Sequence, residues 1–299
     1  MKLKKSDILT IEMEITDICN LKCPLCIREN KPELIKNKIR SYEDVKSQLD
    51  EYKNLRNVNL TGILGEPTIN RDLFEILEYL NSRNIKFHID TNMDLYDEGY
   101  WYDLASLFKI TDTICTSIAG IKQETHSKYR VGSSLDRILR HNYIFNRRFF
   151  TLHNCTLEEK SLFYIRFEYN KEETDEMIKE KFKEKFKECG IYSTSQFNET
   201  LYSRDDEYNM TKKTKNMYNK ILSIYKDKPK EIICKSLKEK KLLIGASGEI
   251  YPCALYKYNI GDFNMEYKDI LDFKYNFCKE CDKNTNKMLE IIGLQERLN

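Results

Sequence analysis

Apolar positions along the 299-residue chain switch between two periods. Alternating or continuous apolar runs predict strands at residues 8–15, at Val58-Asn-Leu-Thr-Gly, at Ile85-Lys-Phe-His-Ile-Asp-Thr, at Thr113-Ile-Cys-Thr-Ser-Ile and at Phe163-Tyr-Ile-Arg-Phe-Glu-Tyr, with a sixth over residues 191–197. Between them, helical spacing predicts helices over residues 41–49, 72–80, 101–108, 135–146 and 172–189. Ser41 is placed to cap the first of these, with Asp44 in the position of a capping-box acid, and Gly190 ends the last. Strands alternating with helices at this spacing make βαβ units and a parallel sheet, so the fold class is α/β, a TIM-like barrel or a doubly wound sheet. In barrels the active site lies at the C-terminal strand ends, which is where the notable residues of this chain fall.

The first of them follow the first strand directly, as Cys19-Asn-Leu-Lys-Cys23-Pro-Leu-Cys26. Three thiols this close can converge on one metal centre. An iron–sulfur cube takes four ligands, so a local triplet leaves one iron open to a small molecule. A zinc knuckle or unrelated buried thiols are the alternatives, but zinc takes four nitrogen or sulfur ligands and the nearest histidine is His88.

Composition narrows the class. The chain holds 50 Lys+Arg against 48 Asp+Glu, a net charge of +2, too balanced for a nucleic-acid polyanion as main partner. Lysines in residues 179–187 alternate with Glu, the pattern of a solvated helix face. Ten cysteines in a chain that opens Met1-Lys-Leu-Lys-Lys, without a signal-type apolar stretch, predict reduced thiols and a cytoplasmic location. No apolar run approaches the roughly 18 residues that span a bilayer, so no membrane association is expected.

Further motifs follow the later strands. After strand two comes Thr61-Gly-Ile-Leu-Gly65-Glu66-Pro67; strand three ends Asp90-Thr91-Asn92-Met93; strand four ends Ser117-Ile-Ala119-Gly120, followed by Arg130-Val-Gly132. Taken with the Cys-x3-Cys-x2-Cys loop, these resemble the radical SAM enzymes. The resemblance implies a partial (β/α)6 TIM-like barrel. It also implies a [4Fe–4S] cluster on Cys19, Cys23 and Cys26 that chelates S-adenosylmethionine (SAM), and reductive cleavage of SAM to a 5′-deoxyadenosyl radical that abstracts hydrogen from substrate. By the same resemblance, Gly65, Glu66, Asn92, Ser117 and Arg130 would contact SAM, with Glu66 accepting from its amino group. Three positions depart from the family pattern: Met93 stands where Gly is common, Ala119 where Asp is usual, and Leu25 where an aromatic residue often covers adenine. Arg166 and Glu168 on strand five, and Gln196 and Asn198 on strand six, are substrate-facing candidates, Arg166 foremost as a polar group in an aromatic-rich strand.

A second cysteine set, Cys234, Cys253, Cys278 and Cys281, brackets a hairpin-like segment, Leu242-Leu-Ile-Gly-Ala-Ser-Gly-Glu-Ile-Tyr-Pro-Cys. Four such thiols with a Cys-x2-Cys pair suit a zinc ribbon as well as a cluster. The set resembles the Twitch extension, the short form of the SPASM domain, which implies a second [4Fe–4S] cluster fully ligated by protein. The organisation expected is a barrel over 1–205, a linker helix over 206–230, a small α+β auxiliary-cluster domain over 231–285 and a tail over 286–299. Of the remaining thiols, Cys115 and Cys189 read as buried small hydrophobes, whereas Cys155, in His153-Asn-Cys-Thr, is a candidate hydrogen donor.

Resemblance to Twitch members that dehydrogenate aminocyclitols implies a radical SAM oxidoreductase for a small polar substrate, an aminocyclitol, sugar or nucleotide sugar. An alcohol carbon would be oxidised, with the auxiliary cluster accepting an electron and a flavodoxin- or ferredoxin-type protein as reductant. The short stretch before Cys19 leaves little room for the N-terminal domain usual in peptide-modifying relatives. An epimerase or peptide maturase using a Cys donor is the other enzyme reading, and a structural zinc- or iron-binding protein the non-enzymatic one.

Overall fold

The computed structural model describes residues 5–24, 26–30, 32–154, 162–164 and 239–251, with a few positions between 170 and 181. Within them lie β1 (Thr10–Met13), α1 (Ile27–Asn30), α2 (Tyr42–Asp50), β2 (Asn57–Leu60), α3 (Leu73–Ser82), β3 (Lys86–Thr91), α4 (Glu98–Ser106), β4 (Thr113–Ile118), α5 (Gln123–Tyr129), α6 (Leu135–His153), β5 (Leu162–Tyr164), β6 (Lys241–Ile244) and β7 (Ile250–Tyr251). The strands form one sheet in the order β5-β4-β3-β2-β1-β6-β7. Every neighbouring pair is parallel except β6–β7. This is the expected α/β barrel-type sheet.

Period-two alternation decides which way each strand faces. Ile11, Met13, Val58, Leu60, Phe87, Ile89, Ile114 and Ile118 turn to one side and join the main core with the helices. There α3 presents Leu73, Ile76, Leu77 and Leu80, one stripe at helical spacing, and the largest buried side chain is Trp101 of α4, whose Nε1–H donates to Leu95 O at 2.8 Å. The other side of the sheet carries Thr10 and Glu12 of β1, Asn57 and Asn59 of β2, His88 and Asp90 of β3, and Thr113, Cys115 and Ser117 of β4, all partly exposed. A core on one face and a polar wall on the other is what an open barrel with an interior site requires.

Helix boundaries follow local chemistry. The Ser41 side chain accepts from Asp44 N at 3.2 Å and starts α2. Helix α6 runs seven residues past the expected end and stops where Asn154 takes a left-handed φ of 50°. The segment around Gly248 (φ +86°) forms the expected hairpin, and β6 continues the barrel sheet by pairing with β1 in the register Thr10↔Lys241 to Met13↔Ile244.

The Leu25 position, the linker at 206–230, the sixth strand at 191–197, most of the 172–189 helix, and Cys155, Arg166, Glu168, Cys189, Gln196, Asn198, Cys234, Cys253, Cys278 and Cys281 lie outside the described residues.

Candidate active site

The run after β1 is clamped before it reaches the first cysteine. Asp17 accepts from Lys36 N at 2.7 Å and Lys38 N at 2.6 Å, and Thr16 Oγ1 donates to Lys38 O at 2.8 Å. Arg28, just past the third cysteine, donates to Asp17 O and Leu64 O, which ties the thiol loop to the loop after β2. Those two loops touch backbone to backbone at Gly65: a Cβ there would sit 2.1 Å from Thr16 O and 2.7 Å from Thr16 C. Only glycine permits that approach, and it is fixed by the Glu66 N–H donating to Ile18 O at 2.8 Å.

Within the loop, Cys26 N–H donates to Cys23 O at 2.9 Å, the turn that folds the second thiol toward the third. Cys19 Sγ accepts from Leu21 N–H at 3.5 Å and faces Asn92 Nδ2 at 3.9 Å. The three cysteines line one cavity of about 370 Å³, shared with Arg28, Gly65, Glu66, Thr91, Asn92, Ser117 and Arg130, a size in the range of small-molecule sites. Every residue expected at the first cluster and at SAM therefore borders the same space.

Glu66 is 3% exposed and held from four directions. Its Oε1 accepts from Thr68 N, Thr68 Oγ1 and Thr91 Oγ1, and its Oε2 accepts from Asn92 N at 2.6 Å. Burial raises its pKa, and the hydrogen bonds oppose the rise. Acceptor capacity toward a cationic ligand rests on Oε2, which takes one donor of the two it can accommodate.

Asn92 Nδ2 donates to Asn20 Oδ1 at 2.7 Å, joining the end of β3 to the cysteine loop. Next to it Met93 has φ 57°, the left-handed region that glycine favours, which explains why Gly suits this position. The end of β4 packs on α5 through Gly120, where a Cβ would lie 2.4 Å from His126 N. Helix α5 in turn delivers Arg130, whose guanidinium lies over the Tyr129 ring and also reaches Cys23, and whose buried Nε has no hydrogen-bond partner among the described residues.

Burial raises the Cys19 thiol above its ordinary range and pushes Cys23 up to about 11, with Arg130 pulling the latter down. Cys115, read from the sequence as structural, lines the cavity two residues before Ser117 on the same strand face. Its thiol is pushed up to about 12 by burial and by Asp90. Strand alternation was the signal for it, because Ser117 and Cys115 share a side.

Among the described residues, no group of three or more His, Cys, Asp or Glu is arranged to hold a single metal ion. Ligands of a cube bind different irons and stand farther apart than ligands of one ion.

Residues 13–157 match the family model of the Radical SAM superfamily. Among curated relatives, the chain is 34% identical over 135 residues to a probable GTP 3′,8-cyclase of Saccharolobus islandicus, a match covering 43% of this chain and 41% of that protein. It is 28% identical over 175 residues to the Fe-coproporphyrin III synthase of Methanosarcina barkeri, covering 58% and 40% respectively. The chain thus spans about two fifths of the length of these relatives. Among solved structures it is similar to Streptococcus suis SuiB (TM-score 0.58, 19% identity, 90% of this chain and 65% of that one). It is also similar to anSMEcpe with bound AdoMet (TM-score 0.56, 19% identity, 92% and 85%).

The family implies SAM and a [4Fe–4S] cluster, and the residues present fit both. Three thiols of one loop, Cys23 buried and Cys19 and Cys26 partly exposed, would hold the cluster, and Arg130, whose Nε has no hydrogen-bond partner among the described residues, together with Glu66 Oε2 offers opposite charges to an amino-acid zwitterion.

Proposed function

We propose that the chain is a radical SAM oxidoreductase acting in the cytoplasm on a small polar substrate, an aminocyclitol, sugar or nucleotide sugar, and oxidising it by two electrons at an alcohol carbon. The observation that carries this reading is the single cavity bordered by Cys19, Cys23 and Cys26 together with Gly65, Glu66, Asn92, Ser117 and Arg130. When bound, the reduced cluster supplies the electron that cleaves SAM to methionine and the hydrogen-abstracting 5′-deoxyadenosyl radical. Arg130 would hold the SAM carboxylate, Glu66 its amino group, and Asn92 and Ser117 its remaining polar edges. Arg28 and Asp17 keep the cysteine loop in place through the hydrogen bonds already described.

In this reading Cys234, Cys253, Cys278 and Cys281 would hold a second, fully ligated [4Fe–4S] cluster of the Twitch type in a domain over 231–285, and that group would supply a one-electron acceptor for the substrate. Arg166 would be the first substrate contact, and a flavodoxin- or ferredoxin-type protein would supply reducing equivalents. The test is anaerobic turnover of an aminocyclitol, amino-sugar and nucleotide-sugar panel with SAM and a reductant. Release of 5′-deoxyadenosine coupled to a ketone or aldehyde product supports the proposal; deoxyadenosine without any oxidised product in the presence of every class counts against it.

A second reading is favoured by Cys115 in the cavity wall. A thiol kept protonated there, or Cys155, could return a hydrogen atom to the substrate, as an epimerase or peptide maturase requires. Turnover in deuterated water separates the two, because deuterium fixed on product carbon marks hydrogen return and a two-electron-oxidised product marks dehydrogenation.

A further inference from the structure

A chain of polar groups crosses the inward faces of β3 and β4, apart from the cysteine loop and the residues given to SAM. Thr113 Oγ1 lies 2.7 Å from His88 Nδ1, and His88 Nε2 lies 3.0 Å from Asp90 Oδ1. The parallel register sets His88 beside Thr113 and Asp90 beside Cys115, and alternation sends all four side chains to the same partly exposed side. Asp90 and Cys115 border the cavity that the three cluster cysteines line, while His88 and Thr113 lie behind Asp90, toward the N-terminal ends of the strands.

The hydrogen-bond directions follow from the groups themselves. A carboxylate oxygen accepts from an imidazole N–H, so in the neutral ring that fits this contact the proton sits on His88 Nε2 and is donated toward Asp90. Nδ1 is then the acceptor for the Thr113 hydroxyl. Thr113 thereby fixes the ring, and the ring fixes one oxygen of a carboxylate whose side chain is 46% exposed on the cavity wall. A polar face that merely meets solvent needs no such ordering of three side chains from two strands. An acceptor held for a proton does.

We infer that Asp90 is the proton acceptor for the substrate in this cavity, with His88 as its positioning residue. The inference rests on the dehydrogenase reading above and completes its balance. The carbinol carbon loses a hydrogen atom to the adenosyl radical, the O–H bond breaks with its proton passing to Asp90 and its electron pair staying on oxygen, and one electron leaves to the auxiliary iron–sulfur cluster as C=O forms. The site accordingly selects a substrate that places a hydroxyl-bearing C–H at the β3–β4 wall. Among the described residues, the ionisable groups on this face of the sheet are Lys86 on β3, Cys115 on β4, Glu12 on β1 and Lys241 on β6, with Arg130 on the cavity wall.

The test uses the anaerobically reconstituted enzyme, the panel named above, and the near-isosteric Asp90→Asn. Removing a general base lowers rates by about 10²–10⁴-fold, so the ratio of oxidised product to methionine released should fall at least about 100-fold. His88→Gln, which leaves Asp90 in place without its ring partner, should lower the same ratio while leaving methionine release unchanged. A purely structural His88 would change both together or neither. Independently of turnover, ¹⁵N-histidine NMR of the oxidised holoenzyme, whose four histidines make assignment tractable, should find the His88 proton on Nε2, and Thr113→Val should release that preference. An unchanged product ratio in Asp90→Asn, with the wild type active, overturns this inference alone. A wild type that oxidises no panel class overturns the dehydrogenase reading and this inference with it. A His88 proton on Nδ1 overturns the arrangement whatever the activity.

Discussion

His126 is fully buried, and its hydrogen bonds leave it a single comfortable protonation state. Its Nδ1 accepts from Ala119 N–H at 3.2 Å, and its Nε2 lies 2.7 Å from Ser133 Oγ, whose own proton is donated to Arg130 O at 2.9 Å. Nε2 must therefore be the donor and Nδ1 the acceptor. A second proton would set N–H against N–H at Ala119 and place a charge in a buried site near Arg130. Burial first, and Arg130 second, push the pKa from the ordinary 6.5 down to about 4. Because the folded value is depressed, the unfolded chain binds the proton more readily, and stability rises with pH across that window. The contribution is fully present above pH 6.5 and is lost as pH falls toward 4. From 6.5 to about 4, at 1.36 kcal/mol per pH unit, the loss is about 3 kcal/mol, and roughly 2 kcal/mol of it is gone by about pH 5. Anaerobic urea denaturation at about pH 7 and about pH 5, on the wild type and on His126→Gln, measures this. His141, whose pKa burial also lowers, acts on both proteins, so the difference between their pH responses isolates His126. The wild type should lose roughly 2 kcal/mol more than the variant over that interval. Equal losses would refute the tautomer argument. At stake is the end of β4, because Ala119 and α5 together deliver Ser117 and Arg130 to the cavity.

Gly65→Ala would bring a methyl to 2.1 Å from the Thr16 carbonyl, against backbone that cannot yield without moving the run into Cys19. It should cut cluster loading, read as iron per chain after reconstitution, several-fold more than Gly99→Ala, whose nearest contact is a side-chain atom at 3.3 Å. The two cysteine sets should separate on substitution. Cys19→Ala should abolish SAM cleavage, whereas Cys281→Ala should retain uncoupled cleavage and lose product; equal loss in both, with folding intact by circular dichroism, would contradict the division of labour.

Strands β1 to β4 were legible because each alternates with a period of two, and the cysteine loop because three thiols at fixed spacing have few other uses; β6 was not foreseen as a neighbour of β1, because its three consecutive buried residues do not alternate. Where the fold departed from expectation, the cause was tertiary. Helix α6 continues to His153 because Phe145 and Phe149 find core partners, and the end comes from Asn154 accepting a left-handed φ without a glycine to announce it. Helix α5 went unread because its sequence, Gln-Glu-Thr-His-Ser-Lys-Tyr, has no apolar stripe; it is held through buried His126 and the close approach to Gly120. Cys115 was misjudged for a different reason. As a residue type a lone thiol is a core hydrophobe, but its place two residues before Ser117 put it on the cavity side. The His88–Asp90 pair lay in the same plain sight, two residues apart on a strand, yet its meaning depends on Thr113, which only strand pairing brings alongside. The Asp17 clamp on Lys36 and Lys38 has no sequence signature, since loop backbone supplies the donors.

The central claim is that Cys19, Cys23 and Cys26 hold an iron–sulfur cluster with one iron left for SAM. Electron paramagnetic resonance of the anaerobically reduced protein, with Cys278 and Cys281 replaced by Ala to remove the second cluster, tests it directly. The account predicts a [4Fe–4S]⁺ signal that changes on adding SAM and disappears in Cys19→Ala. A protein that carries zinc without sulfide, or a cluster signal indifferent to SAM, would contradict it.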